Sequence, residues 1–144
     1  MRDPMEQIKI HSAKGELALV FEFQEQSPDV SEPDYTWVSL VGPGINASIH
    51  VYDFQDFTGV TLWGFFEFMH LHTDGWQGEH VCESLEGDLK LVGTIDHLGK
   101  IEVRVSFNQF TNECPWKLEA ILYLYQAQLP DIIRQIPKVY KGDW

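Results

Sequence analysis

Apolar and polar residues alternate with period two along most of this chain, the pattern of a β-strand with one dry and one wet face. In residues 16–24, Leu17, Leu19, Phe21 and Phe23 fall on one side, and Ala18, Val20 and Glu22 on the other. Trp37–Val41 leads into Gly42-Pro43-Gly44, after which Ile45, Ala47, Ile49 and Val51 oppose Asn46, Ser48 and His50. Two such runs around a Gly-Pro-Gly turn predict a hairpin. Further on, Leu89, Leu91, Gly93 and Ile95 alternate with Asp88, Lys90, Val92 and Thr94. Asp96-His97-Leu98-Gly99 then turns the chain, with Gly99 expected at positive φ. Ile101, Val103, Val105 and Phe107, followed by Leu118, Ala120, Leu122 and Leu124, extend this half into an antiparallel meander.

Two segments break the period. Between Val60 and Leu71 the apolar residues Leu62, Trp63, Phe65, Phe66, Phe68, Met69 and Leu71 cover nearly every side of a helix, which must then be buried or covered. Asp56 or Thr58 is the expected cap, and Asp74-Gly75 the expected stop. Leu129, Ile132, Ile133 and Ile136 recur at helical spacing, with Pro130 tolerated in the first turn and Pro137 ending the helix. The predicted fold is α+β. It has one antiparallel sheet of about six to seven strands with helices over about 58–73 and 128–137 packed on one side. Residues 1–144 read as a single domain, since a chain this long buries roughly 68–70% of its unfolded surface.

No apolar run approaches the ~20 residues of a membrane span, and no apolar stretch follows Met1-Arg-Asp-Pro, so the expectation is a cytoplasmic protein. The two cysteines, Cys82 and Cys114, suit a reducing compartment. His70, His72 and His80 lie near Asp74 and Glu79, which raises the alternative of a small metal-dependent or hydrolytic enzyme. His70 and His72 point apart on a helix, and no Gly-x-Ser-x-Gly or Cys-x-x-Cys spacing occurs, so no metal, cofactor or catalytic residue is expected.

The charge distribution is more informative. The chain carries 22 Asp or Glu and 10 Lys or Arg, a formal net charge of −12. Residues 15–89 hold fourteen of the acids and no base, so the remaining 8 acids and 10 bases leave the rest of the chain near +2. Such a charge repels nucleic-acid phosphates and suits a basic protein partner, whose approach it steers. The candidate partner-binding residues are Asp29, Glu32, Asp34, Asp53, Asp56, Asp74, Glu79, Glu83 and Glu86. The plainer reading is that these charges serve solubility. Part of the Trp63/Phe65/Phe66/Phe68 cluster could instead form a homodimer surface, leaving a self-associating protein as a further alternative.

Residues 75–103 carry recognisable strings. Gly75-Trp76-Gln77-Gly78, Ser84-Leu85-Glu86-Gly87-Asp88-Leu89-Lys90-Leu91 and Asp96-His97-Leu98-Gly99-Lys100-Ile101-Glu102-Val103 resemble the pattern of a family of small uncharacterised acidic bacterial proteins. Val41-Gly42-Pro43-Gly44-Ile45 and Ala127-Gln128-Leu129 are similar to it as well, whereas Cys82 stands where that pattern often has Trp. Glycine and apolar positions specify a fold rather than an active site, and Trp76 accordingly reads as a core plug at the helix–strand turn. Proteins of this size and acidity are similar in class to immunity proteins of bacterial polymorphic-toxin systems. The resemblance implies a non-enzymatic inhibitor of a toxin.

Overall fold

The computed structural model describes residues 6–23, 35–52, 61–84, 86–110 and 113–136. Strands β1 (Glu6–His11), β2 (Ala18–Phe23), β3 (Tyr35–Gly42) and β4 (Ile45–Tyr52) form an antiparallel sheet in chain order. Helix α1 (Leu62–Leu71) follows. A second antiparallel sheet then runs in order through β5 (His80–Glu83), β6 (Leu89–Ile95), β7 (Ile101–Gln109) and β8 (Trp116–Leu124). A 3₁₀ turn over Gln126–Gln128 leads into helix α2 (Leu129–Gln135).

The architecture corrects the sequence expectation of one sheet of six to seven strands: the described residues hold eight strands in two sheets of four, mostly β with a small helical part. The division falls at α1, which separates β4 from β5 in the chain, so these two strands become sheet edges instead of neighbours. The helices are shorter than expected. Thr61 caps α1, its Oγ1 accepting from the Gly64 amide at 2.9 Å, while Asp56 and Thr58 lie outside the described residues. Helix α2 ends at Gln135, and Ile136 is extended (φ −74°, ψ 122°), the conformation that a following proline imposes.

The alternating faces pack as the sequence implies. Ile8, Ile10, Leu19, Phe21, Val38 and Leu40 of the first sheet share one hydrophobic cluster with Leu91, Val103, Val105 and Leu122 of the second. Phe65, Phe66 and Met69 of α1 and Leu129 and Ile132 of α2 complete it. Trp63 and Phe68 are half-buried and pack against the same cluster. Gly93 lets α1 approach the second sheet: a Cβ there would stand 2.9 Å from Met69 Sδ and 3.3 Å from a ring carbon of Phe65.

Hydrogen bonds also tie the two sheets together at a corner between the end of β1 and β8. The Tyr123 amide donates to Ser12 Oγ at 3.0 Å, and the Ala13 amide donates to the Tyr123 carbonyl at 2.6 Å. The Gln128 side chain adds a bond to the His11 carbonyl at 2.9 Å.

Candidate functional site

The acids singled out in the sequence divide by position. Asp29, Glu32, Asp34, Asp53 and Asp56 lie outside the described residues. Asp74 is exposed in the turn that ends α1. Glu79 precedes β5, Glu83 is its last residue, and Glu86 is exposed in the turn to β6. Strand β5 pairs only with β6 among the described strands, so these three acids border a free sheet edge.

Antiparallel register brings bases to two of them. Arg104 on β7 holds Glu79 at 3.8 Å through Nη1 and Glu119 at 3.3 Å through Nε, and Lys90 lies directly across from Glu83. Of Glu79, Glu83 and Glu86, only Glu79 forms an ion pair among the described residues, because β7 returns Arg104 to the side of the sheet where it lies. These pairs are exposed, and each contributes about 0.2–1 kcal/mol at most. Asp74 and Glu86 form no ion pair among the described residues.

The histidines go to separate tasks. His70 is exposed in the last turn of α1. His72 closes that helix, its Nδ1 2.8 Å from the Phe68 carbonyl oxygen and its ring stacked on Phe68. His80, on the inner face of β5, stacks on Phe65 and Phe68, and its buried Nε2 has no hydrogen-bond partner. Burial, and secondarily the charge of His72, hold the His80 pKa below the ordinary histidine value. No group of three or more potential metal ligands occurs among the described residues. Cys82 is buried and Cys114 exposed.

The family-like strings prove to be turn devices. Gly75 and Gly78 take positive φ (117° and 74°) around Trp76, which meets Phe68 edge-on and donates from Nε1 to the Gly93 carbonyl at 3.3 Å. Ser84 is buried, accepts from the Leu89 amide at 3.0 Å and donates to Asp88, while Gly87 turns the chain at φ 75°. Asp96 Oδ1 accepts from the Leu98 and Lys100 amides at 2.9 and 2.8 Å, and Gly99 takes the expected positive φ of 83°. The Lys100 amide is the first cause that holds the Asp96 carboxyl below its ordinary pKa.

The pattern of a family of unknown function, DUF6228, matches residues 11–139. The chain belongs to this family. No curated protein and no solved structure matches it. The DUF6228 match spans every one of these turn strings, together with the β5 edge and the corner between the sheets. Among the described residues no helix is long and apolar enough to cross a membrane.

One feature escaped sequence reasoning. A trough of about 550 Å³ opens on the outer face of the first sheet, where Lys9 and His11 of β1 face Ala18 and Val20 of β2. Its only sequence signal is the polar register of β1, a strand with just two core residues, Ile8 and Ile10.

Proposed function

We propose that this protein is a non-enzymatic binding protein of the cytoplasm, an immunity-type inhibitor that engages a basic toxin domain through the acidic border of β5. The observation that carries the reading is the edge itself: a four-residue strand, unpaired on one side among the described strands, with Glu79 before it, Glu83 at its end and Glu86 in the next turn. The formal net charge of −12 supports it, because complementary charge accelerates the encounter with a basic surface. Arg104 supports it differently, holding Glu79 in place without cancelling the overall excess.

The test begins with the neighbouring gene. A toxin domain encoded immediately upstream is mixed with the parent protein and with a Glu79→Gln/Glu83→Gln/Glu86→Gln variant, and association is followed as salt is raised. Inhibition by the parent, slower association of the variant and weaker salt dependence are expected. If the variant inhibits as rapidly as the parent with the same salt dependence, the β5 border is not the interface. A metabolic gene in that position, with no toxin inhibited, removes the reading altogether.

A further inference from the structure

Strand β8 ends the second sheet on the side opposite β5, and the corner with β1 fixes which of its backbone groups are free. Both polar backbone groups of Tyr123 serve that corner, the amide donating to Ser12 Oγ at 3.0 Å and the carbonyl accepting from the Ala13 amide at 2.6 Å. They point away from β7. Backbone direction alternates along an antiparallel strand, and the register to β7 is continuous from Trp116 to Leu124, so Lys117, Glu119 and Ile121 point away as well. Asn108, opposite Lys117, agrees, since its amide donates to the Asp88 carbonyl on the β6 side. Three alternate residues thus offer an amide and a carbonyl that meet no partner among the described residues.

A free edge of this kind templates another strand, and the residues along it select a second copy of β8. The corner closes the edge at Tyr123; at the other end Pro115 has no amide to donate, and the chain bends at Glu113 and Cys114. Between these stops, a two-fold axis at Leu118 sets Lys117 of each copy opposite Glu119 of the other. Each such pair exchanges two backbone hydrogen bonds and joins an ammonium to a carboxylate. Lys117 forms no ion pair among the described residues, and Arg104 meets only Oε1 of Glu119. On the inner face the same axis lays Trp116 across from Ala120 and Leu118 against its own copy. These positions have room for it: Trp116 is 37% exposed, and Leu118 and Ala120 are half-buried on a strand whose far end is buried at Leu122 and Leu124. Other registers fail. Axes at Lys117 or Glu119 oppose like charges, and an axis at Ala120 drives Lys117 against Tyr123, where Ser12 and Ala13 already sit.

We propose that β8 pairs antiparallel with β8 of a second copy, joining the two second sheets into one continuous sheet about a two-fold axis at Leu118. The paired segment is about five residues long, roughly 17 Å, and two chains of net charge −12 repel, so the dimer is a transient one. It leaves both β5 edges free and stands independently of any toxin partner.

Sedimentation velocity of the full chain from about 10 μM to about 1 mM tests this, with Lys117→Glu, Glu119→Lys and an equimolar mixture of the two. The parent should shift toward dimer as concentration rises. Lys117→Glu sets glutamate against glutamate in both pairs and Glu119→Lys sets lysine against lysine, so each variant alone should dimerise about tenfold more weakly or worse. The mixture restores a lysine opposite a glutamate at both positions and should dimerise as the parent does. Overall repulsion forecasts the opposite for Glu119→Lys, which reduces the negative charge and would then strengthen association. Hydrogen exchange at the Lys117 and Glu119 amides should slow with concentration; should Glu119→Lys not fold, Lys117→Glu and these amides decide. The proposal is overturned by a monomer at every concentration, which leaves the edge to a strand of another protein, or by a dimer that both variants retain. A mixture no stronger than its components overturns it too, as does amide protection independent of concentration, which assigns the edge to a segment of the same chain.

Discussion

The imidazole of His80 lies against the ring of Phe68, with centroids 3.9 Å apart and planes inclined by 23°. The same phenyl ring stacks with His72 at 4.2 Å, and Trp76 meets it edge-on at 5.8 Å. Phe68 thus gathers the end of α1, the turn after it and the start of β5 into one aromatic group. A protonated His80 fits this setting poorly, since its Nε2 is buried without a partner.

The pH dependence follows from that setting. Burial and His72 lower the folded-state pKa of His80, and burial also lowers that of His50. The unfolded chain therefore binds these protons first as pH falls through about 6.5. Their contribution to stability is complete above that pH, is lost on acidification, and levels off below the folded pKa. Melting temperature should drop between about pH 7.5 and about 5.5, and His80→Phe should flatten the drop. An unaltered slope in that variant would place the titration elsewhere.

At the β6–β7 turn, Gly99 combines a φ of 83° with a Cβ position 3.2 Å from Gln126 Nε2. Gln126 in turn bonds the Thr73 carbonyl at 2.9 Å, linking this turn to the end of α1. Gly99→Val should cost about 1–3 kcal/mol through backbone strain, read as a lower denaturant midpoint at constant slope.

Gly93 is constrained by packing. Alanine there already crowds Met69 Sδ, which a flexible side chain can withdraw, and a ring carbon of Phe65, and valine adds two methyl groups to the same crowding. Gly93→Ala should cost under about 1.5 kcal/mol and Gly93→Val about 1–3 kcal/mol or more, from overpacking. Thermal unfolding of the pair checks the order.

Ser12 supplies a bond that water cannot easily replace, being 8% exposed where it accepts from the Tyr123 amide. Ser12→Ala strands that amide and should destabilise by about 1–3 kcal/mol. Ser12→Thr, which keeps the hydroxyl, should recover most of the loss in chemical denaturation.

Much of this fold was legible in the sequence. Ile45 to Val51 and Ile101 to Phe107 display their faces through alternation, and Gly44 and Gly99 mark the turns between strands. What alternation omits is pairing. Nothing local shows that Ile49 and Leu91 belong to different sheets, or that β1 joins the first one on the strength of Ile8 and Ile10. The same gap leaves charge pairing unread: Glu79 sits in a base-free run, yet Arg104 reaches it through a register set by distant strands, and Lys90 comes to lie across from Glu83. The trough was hidden for a related reason, since Lys9, Val20 and Ser39 become neighbours only across three strands.

The corner at Ser12 and Tyr123 has a consequence for the order of assembly. Each sheet is a run of sequence-adjacent antiparallel strands, whose loops close at small entropic cost. The corner instead unites residues 111 positions apart, and the Gln128–His11 bond spans 117. Such closure is slow and gains little until both surfaces exist. We expect the Tyr123 amide to be among the last to gain protection from hydrogen exchange during refolding, after the amides of β3 and β7; early protection there would contradict this order. On a ribosome the consequence is sharper: β1 is made first, yet its end cannot be tied down until β8 and the turn before α2 have emerged.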